Sequence, residues 1–280
     1  MEKIVIIGSG PAGLTAGLYA ARARLSPLVV EGMERGGQLV QTLHVANWPG
    51  HPGVAKGADI VDAMRRQAED AGVRFKMDVV KSVDFSGEAK RLFTLMGDEI
   101  EAETVIVATG AGVSKTNAPG EAKYFGRGIS ACLVCDAAFY SGRRVVVVGE
   151  GAPAVGAKRY LEGVGATVAA VLAPSEIAEF EGDGQRLSGV ALAPSSASGS
   201  GTVAADGAFL VTARLPETKF LGGALELDPK GHVVTTDTVR TSVPGVFAAG
   251  DCARPRYKQA VVAAADGAIA ALAAQEYLSR

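Results

Sequence analysis

Short runs of branched apolar residues alternate with alanine-rich windows along the chain. Lys3–Ile7 and Leu28–Val30 predict buried strands, and Pro11–Ala23 between them has the apolar spacing of a helix. The same patterns predict strands at Thr104–Ala108, Arg144–Val148, Thr167–Leu172 and Val246–Asp251, and helices at Ala152–Val164 and Lys258–Tyr277. Strands that alternate with helices in this way are typical of α/β proteins.

One unit of this pattern occurs twice. A strand, a glycine-rich loop, a helix and a second strand follow one another over residues 3–31 and again over residues 144–172. This order of elements is the one that binds a dinucleotide in Rossmann-like folds. The sequence therefore predicts an α/β fold with two Rossmann-like domains. Between the second unit and the last strand, the Ser- and Gly-rich stretch Ala193–Gly201 predicts a mobile surface turn.

The first glycine-rich loop has the sequence Gly8-Ser9-Gly10-Pro11-Ala12-Gly13 and joins a predicted strand to a predicted helix. Glycines at these positions permit a tight turn and the close approach of a pyrophosphate to the helix N-terminus. Glu31 lies 18 residues after Gly13, at the end of the next strand, where a carboxylate accepts from a ribose hydroxyl. The loop, the helix and the acid together predict a dinucleotide site, and a packing turn without a ligand is the alternative.

The composition of the chain argues against two classes of binding partner. The chain has 280 residues with 28 basic and 30 acidic side chains and a formal charge of −2, which argues against nucleic acid. No uncharged apolar stretch reaches the roughly 18 residues of a membrane helix, which argues against a membrane partner. Because the N-terminus begins directly in a predicted strand, we expect no signal peptide and a cytoplasmic location.

Cys132 and Cys135 form a CxxC pair, which in a cytoplasmic chain indicates redox or metal chemistry. At the start of a helix, the N-terminus stabilises a thiolate at such a pair. Zinc would need two further ligands, and the other candidates have no paired spacing: Cys252, His44, His51 and His232. An inert buried pair is a further alternative. We expect Cys252 to be a packed free thiol and the histidines to be structural.

Several further motifs stand in a fixed order. The chain closely resembles the low-molecular-weight thioredoxin reductases in Gly36-Gly37-Gln38-Leu39, Asn47-Trp48-Pro49-Gly50, Ala108-Thr109-Gly110, Gly120-Glu121, Ser130-Ala131-Cys132-Leu133-Val134-Cys135-Asp136 and Thr241–Asp251. This resemblance implies a discontinuous FAD-binding domain at residues 1–112 and 213–280. It also implies an inserted second domain at residues 113–212, which carries the CxxC pair.

The resemblance also assigns roles. Cys135 would face the flavin, Cys132 would attack the disulfide of a thioredoxin-like partner, and Asp136 would donate or accept the proton. Val80 would touch adenine, and Lys258 stands where the family has Arg. The residues implied to bind FAD are Gly8, Gly10, Pro11, Ala12, Gly13, Glu31, Gly37, Gln38, Asn47, Val80, Ala108, Thr109, Gly110, Gly250, Asp251, Lys258, Gln259 and Ala260. A homodimer is implied as well.

The second domain departs from the family pattern. After its strand Val168–Val171, no basic residue follows until Arg186, whereas NADPH-using relatives have arginines there that hold the 2′-phosphate. Glu150 lies in the second glycine-rich loop, where an acid opposes a pyrophosphate. A helix and a strand are missing next, since Ser175–Glu181 already resembles a later segment. The sequence therefore predicts a shortened domain without an NADPH site.

This departure narrows the resemblance to ferredoxin-dependent flavin thioredoxin reductases and their diflavin-linked relatives. Arg254, Arg256 and Lys258 form a basic cluster, which we expect to guide an acidic ferredoxin. The favoured function is thus a flavin-dependent disulfide reductase with a donor other than NADPH. Three alternatives remain: an NADPH-thioredoxin reductase, an FAD dithiol oxidase that forms disulfides, and a non-enzymatic FAD redox sensor.

Overall fold

The computed structural model describes residues 1–33, 35–212, 214–254 and 256–280. These residues form two compact units. The first comprises Met1–Thr42, Trp48–Gly112 and Leu215–Arg280, and the second comprises Leu43–Asn47 and Val113–Arg214. The predicted boundary at residue 213 falls on Ala213, which lies outside the described residues. Leu43–Asn47 groups with the second unit rather than the first, and the ring of His44 lies 5.5 Å from the ring of Phe139 there.

The elements up to the insertion are β1 (Glu2–Ile7), α1 (Pro11–Arg22), β2 (Leu28–Val30), α2 (Gly57–Asp70), β3 (Arg74–Lys76), β4 (Val80–Asp84), β5 (Lys90–Thr94), β6 (Glu99–Val107) and β7 (Ala111–Val113). The inserted segment has α3 (Glu121–Tyr124), β8 (Ile129–Ser130), α4 (Leu133–Asp136), β9 (Arg144–Val148), α5 (Gly151–Gly163), β10 (Thr167–Leu172), β11 (Ile177–Gly182), β12 (Leu187–Leu192), β13 (Thr202–Ala204) and β14 (Gly207–Leu210). The last segment has β15 (Arg214–Pro216), β16 (Val246–Ala248) and α6 (Ala260–Leu278).

A mixed sheet forms the centre of the first unit. Its strand order is β3-β2-β1-β6-β5-β4, and β16 also pairs with β6. β1, β2, β3, β6 and β16 are parallel, so their carboxyl ends meet at one edge. Apolar side chains of β1, such as Ile4 and Ile6, pack on one face against alanines of α1 and α6. The opposite face buries Val5, Leu92 and Val105. The predicted α/β, Rossmann-like class is confirmed.

α6 is the one helix in the described ranges that is long and apolar enough, by length and composition alone, to cross a membrane. Its Ala263, Ala270, Ala271 and Ala274 are buried in the core of the first unit. The same helix carries the buried carboxylate of Asp266. One face of α6 therefore packs against the core of this unit.

The second unit has a smaller parallel sheet with the strand order β10-β9-β14-β8. Val146, Val148 and Leu210 of this sheet share a core with Phe180 and Val190 of an antiparallel sheet, β11-β12-β13. Only a short 3-10 turn, Pro174–Glu176, connects β10 to β11. This is the place where the sequence predicts the loss of a helix and a strand.

The Ser- and Gly-rich stretch forms a surface turn, as predicted, and hydrogen bonds tie it to Glu176. Glu176 accepts hydrogen bonds from the hydroxyls of Ser196 and Ser198, at 2.9 and 2.7 Å, and from the backbone N–H of Ser198 at 3.0 Å. These bonds hold the pKa of Glu176 down at about 2. Ser and Gly composition alone does not reveal such an anchor, because the carboxylate comes from a distant part of the chain.

Candidate active site

The first glycine-rich loop lies between β1 and α1 as predicted. Gly8 has a φ of +110°, and a Cβ there would lie 2.4 Å from the carbonyl oxygen of Ala108. A Cβ on Gly13 would lie 1.8 Å from the carbonyl oxygen of Gly8. Both glycines are therefore required by packing around the turn.

Gly10 differs from these two glycines. A Cβ built on it would have only the Cα of Gly37 nearby, at 4.0 Å, so the space beside it is open. Gly10 is also the N-cap residue of α1, whose first N–H groups receive no side-chain cap there, and Pro11 and Ala12 form the first turn of that helix. An open glycine at the start of a 12-residue helix is the arrangement that admits a pyrophosphate.

Glu31 follows β2 directly and is buried. Its carboxylate is paired with the guanidinium of Arg65 on α2, and the Arg65 guanidinium lies 4.0 Å from the centre of the Phe75 ring. Arg65 lines a pocket of about 200 Å³ together with Ser9, Leu14 and Gly36. The sequence analysis missed Arg65, because nothing local in α2 indicates which carboxylate it meets.

The other predicted FAD residues of the first unit mostly gather at the same edge of the sheet. Ala108, Thr109 and Gly110 follow β6, and the N–H of Ala108 donates to the carbonyl of Ile7 at 2.8 Å. Gly250 and Asp251 form a 3-10 turn after β16. A Cβ on Gly250 would lie 3.0 Å from the Cβ of Ala12, which places this turn against the start of α1.

The remaining predicted FAD residues occupy three places. Lys258, Gln259 and Ala260 lie at the N-terminus of α6, where Gln259 is the N-cap. Gly37 and Gln38 lie in the 3-10 helix Gly37–Gln41, and the Gln38 amide donates to the carbonyl of Ala111. Val80 begins β4 and is buried, whereas Asn47 is exposed and groups with the second unit.

This edge of the first unit fits FAD. The turn glycines, the open space beside Gly10 and the buried acid after β2 each occupy the position that a dinucleotide requires. Gly10 and the first turn of α1 would hold the pyrophosphate, and Glu31 would hold a ribose hydroxyl. The chemistry that FAD supplies when bound is the transfer of electrons between a donor and a disulfide.

Cys132 and Cys135 form a disulfide in the second unit, with their Cα atoms 5.3 Å apart. Cys132 is the N-cap of α4, but α4 has only four residues and continues as the 3-10 helix Ala137–Tyr140. The helix predicted to begin at the CxxC pair is thus present but short. A helix of one turn has a small dipole, so stabilisation of a thiolate depends more on neighbouring groups.

Ser130 connects the disulfide to Asp136. Its hydroxyl accepts a hydrogen bond from the N–H of Cys132 at 3.0 Å and donates one to the carboxylate of Asp136. Ser130 is buried at the end of β8, so both contacts start from a rigid position. The sequence motif contains this serine two residues before Cys132, and the sequence analysis gave it no role.

Burial raises the pKa of Asp136, while the hydrogen bond from Ser130 and the nearby His44 act in the opposite direction. The carboxyl group therefore keeps its proton to a higher pH than an exposed aspartate. Burial and the charge of Asp136 also raise the pKa of Tyr140 to about 12, so this phenol stays neutral. Asp136 is then the group beside the disulfide that is suited to exchanging a proton.

The second glycine-rich loop places Glu150 at the N-cap of α5, where its side chain is exposed. Gly149 is needed by packing, because a Cβ there would lie 2.7 Å from the carbonyl oxygen of Val211. Thus the loop keeps the turn of a dinucleotide site but carries a negative charge where the phosphates of a dinucleotide approach.

One member of the predicted basic cluster, Arg254, is paired with a carboxylate in the structure. Arg254 makes two hydrogen bonds to the carboxylate of Asp266, Nε to Oδ2 at 2.7 Å and Nη2 to Oδ1 at 2.6 Å. This buried carboxylate pairs with Arg254, so the charge of Arg254 is balanced within the first unit and the guidance of an acidic partner stays a prediction. The sequence gives no sign of the pairing, because Asp266 lies twelve residues further along, on α6.

Cys252 is a buried free thiol, as predicted, and burial raises its pKa. Its Sγ lies 3.4 Å from the carbonyl oxygens of Val107 and Ala249. Within the described residues, no group of three His, Cys, Asp or Glu side chains is arranged to hold a metal ion. Cys132 and Cys135 are therefore the cysteines placed for redox chemistry, since Cys252 is buried.

A dinucleotide-type unit together with a second unit that carries a CxxC disulfide defines a flavoprotein disulfide oxidoreductase. Comparison with known proteins agrees. A family model described as pyridine nucleotide-disulphide oxidoreductase matches residues 2–184 and 170–267. A thioredoxin reductase of Coxiella burnetii is 35% identical over 99% of this chain and 96% of its own length.

Two more similar proteins show the same relationship. A thioredoxin reductase of Streptomyces clavuligerus is 37% identical over 100% of this chain and 94% of its own length. The solved structure of a thioredoxin reductase from Giardia duodenalis superimposes with a TM-score of 0.89 at 36% identity, covering 99% of each chain. The chain belongs to the thioredoxin reductase family.

The alignments also support a shortened chain. The alignment with the Coxiella burnetii protein spans 311 positions, but this chain has only 280 residues. At least 31 aligned positions of that relative therefore have no counterpart here. The narrower resemblance to ferredoxin-dependent members receives no support from these relatives.

Proposed function

We propose that the protein reduces the disulfide of a thioredoxin-like protein, with FAD in the first unit and a pyridine nucleotide, NADPH, as the electron donor. The observation that carries this proposal is the Cys132–Cys135 disulfide, with Asp136 held beside it by Ser130. Relatives named thioredoxin reductase that match almost the whole chain support the partner. We further propose that the protein is cytoplasmic and forms a homodimer.

Two exchange steps account for the reaction on the partner once the pair is reduced. The Cys132 thiolate attacks the partner disulfide, which forms a mixed disulfide and releases one partner thiolate, and Asp136 supplies its proton. The Cys135 thiolate then attacks the sulfur of Cys132, which restores the Cys132–Cys135 disulfide and releases the second partner thiolate, and this thiolate takes a proton from solvent. The partner gains two electrons, and the Cys132–Cys135 pair loses two.

The residues of this chain divide the remaining work. Gly10, the first turn of α1 and Glu31 bind and orient FAD, and Asp251, Gln259 and Ala260 complete the edge. Ser130 orients Asp136 and the backbone at Cys132 by two hydrogen bonds. Flavin reduction by the donor depends on the residues that bind FAD, and reduction of the partner depends on the disulfide and its neighbours. The two half-reactions can therefore be measured separately.

NADPH as donor is supported by the family description, which names a pyridine nucleotide, and by the relatives that span the chain. The second candidate is a donor without a nucleotide, such as a ferredoxin. Two observations favour it: the Glu150 carboxylate at the start of α5, and the run from Thr167 to Gln185, which contains no Lys or Arg. Loss of two phosphate contacts would weaken NADPH binding by roughly 10²–10⁴-fold.

Flavin reduction without oxygen distinguishes the donors. FAD-loaded protein is mixed with NADPH in one experiment and with reduced ferredoxin in another, and the flavin absorbance is recorded while thiols are counted on added thioredoxin. Rapid bleaching by NADPH with new thiols supports the proposal. Bleaching by ferredoxin alone favours the second candidate. No bleaching by either donor, together with oxygen uptake in a separate aerobic assay with a dithiol, overturns both.

Variants separate the half-reactions. Cys132→Ser and Cys135→Ser are expected to abolish thioredoxin reduction while the donor still bleaches the flavin. Cys252→Ala removes the buried free thiol and serves as the matched control, with thioredoxin reduction retained. Glu150→Ala removes the charge at the start of α5 and is expected to lower the KM for NADPH about tenfold.

A further inference from the structure

A chain of three side chains lies beside the predicted FAD edge, and the proposed reaction does not use it. The carboxylate of Asp228 lies 3.2 Å from Nδ1 of His232, measured from Oδ2. On the other side of the same ring, Nε2 of His232 lies 3.4 Å from Nζ of Lys258. All three residues belong to the first unit.

The direction of the hydrogen bonds follows from the donors available. A lysine ammonium has three N–H donors and no acceptor, so Nε2 of His232 must accept from Lys258. The ring proton is then on Nδ1 and points at Asp228. Asp228 is itself fixed, because Oδ1 accepts the backbone N–H of His232 at 2.8 Å. His232 is buried, 4% exposed, so water competes little for either ring nitrogen.

The backbone ties this chain of side chains to the edge of the sheet. The N–H of Val233, next to His232, donates to the carbonyl of Cys252 at 2.9 Å, and Cys252 is the neighbour of Asp251. Lys258 directly precedes Gln259, the N-cap of α6. His232 therefore spans the two loops that present Asp251 and Lys258.

We propose that Asp228 and His232 are positioning residues that hold the ammonium of Lys258 towards bound FAD. A lysine has four rotatable bonds, and a buried acceptor behind it restricts the ammonium to one region. A fixed cation stabilises negative charge added to a neighbouring group on reduction. This inference rests on the proposed FAD site. It concerns how that site holds its cation, which neither the family match nor the exchange chemistry specifies.

The test measures the dissociation constant of FAD and the midpoint potential of the bound flavin in full-length variants. Lys258→Met and His232→Leu are each expected to weaken FAD binding about tenfold and to shift the midpoint potential to more negative values. His232→Gln is expected to restore both quantities towards the wild type, because its amide oxygen accepts from Lys258 and its amide N–H donates to Asp228. Lys219→Met, at an exposed lysine of the same unit, is the control.

A double-variant cycle separates positioning from a general loss of structure. If His232 acts only through Lys258, His232→Leu has no further effect on either quantity once Lys258 is Met. Equal potentials for Lys258→Met and Lys219→Met would overturn the inference, as would additive effects in the cycle. If His232→Leu does not fold, Lys258→Met and His232→Gln decide the question. A chain that binds no FAD at all would instead refute the proposed function.

Discussion

Single side chains decide the chemistry of the candidate site. Ser130 is buried and bonds both to the backbone at Cys132 and to Asp136, so one hydroxyl fixes the Asp136 carboxylate relative to the disulfide. Arg65 does the same for Glu31 at the FAD edge. In each case the residue type at the reacting position is visible in a motif. The partner of Glu31 is not visible in its motif, because Arg65 lies on α2 and is brought close by the fold. Ser130 stands within the same motif as Cys132 and Asp136, but the motif does not show that its hydroxyl contacts both.

Asp136 is expected to dominate the proton transfer. Replacing it with Asn removes the exchangeable proton and should slow thioredoxin reduction by about 10²–10⁴-fold, whereas reduction of the flavin by the donor is unchanged. The measurement is kcat/KM for thioredoxin, set against Glu162→Gln, a carboxylate on the exposed side of α5. Equal rates for the two variants would show that another group carries the proton.

Ser130→Ala tests the pKa of Asp136. The Ser130 hydrogen bond lowers that pKa, and burial raises it. Without the serine the pKa rises further, so the steps that need protonated Asp136 should persist to higher pH and those that need the carboxylate should begin at higher pH. The pH profile of kcat/KM should shift upwards as a whole. An unshifted profile would contradict the assignment of Asp136.

Arg254 is expected to act on stability. Arg254→Met leaves the buried Asp266 carboxylate without its partner, which should lower the free energy of unfolding by about 2–3 kcal/mol, a value reduced because Arg254 is partly exposed. Denaturant unfolding at a fixed FAD concentration measures it. Arg256→Met, two residues away, is the control and should change stability little; equal losses in both would remove the special role of the pair.

At the scale of elements, the pattern of apolar residues predicts the limits of those strands and helices whose ends depend on local sequence. β2, β9 and β10 have the predicted limits, because branched residues fill each strand and turns bound them. α1 and α5 begin and end within one residue of the prediction. The β16 prediction ran on to Asp251, but the strand ends at Ala248, where Gly250 with a φ of +76° turns the chain into the FAD edge. The turn is set by packing against Ala12, which is distant in sequence, so no local pattern predicts it.

The contact between α1 and α6 depends on Gly267. A Cβ at Gly267 would lie 2.1 Å from the carbonyl oxygen of Ala12, so Gly267→Ala must move the two helices apart. We expect a loss of about 1–3 kcal/mol in unfolding free energy, together with weaker FAD binding, since Ala12 belongs to the first turn of α1. Gly156→Ala on α5 is the matched control: its Cβ meets no atom within 4 Å, and alanine favours the helix by about 1 kcal/mol. A higher unfolding free energy for Gly267→Ala would contradict the inference that α1 and α6 leave no room for a side chain at this position.

For the whole molecule, each unit contains a carboxylate whose pKa is held near 2. Hydrogen bonds from Ser86 and from Arg91 hold Asp84 there, and those of the Ser196–Ser198 turn hold Glu176. Both pKa values lie below the ordinary values of 3.8 and 4.5. Their contribution to stability is therefore present above about pH 4.5 and is lost as the pH falls towards about 2.

Asp84→Asn and Glu176→Gln should each flatten the loss of Tm on acidification between about pH 5 and pH 2, one through each unit. The double variant should be flatter than either single variant, since the two carboxylates belong to separate units. Asp237→Asn, an exposed carboxylate in the first unit, is the control. Variants as sensitive to acid as the wild type would show that these carboxylates keep similar pKa values in the unfolded chain.

The direct link from β10 to β11 has a consequence for the second unit. In the part of the chain that the structure describes, β10 pairs only with β9, so β10 has one open edge of backbone N–H and C=O groups. An open edge accepts an added strand in parallel or antiparallel register. Pro174–Glu176 is thus a natural junction for grafting a strand–helix segment from a longer relative. A grafted strand that pairs there and ends in basic residues would place positive charge at the same loop edge as Glu150, and the donor assay would then show whether that charge sets donor preference.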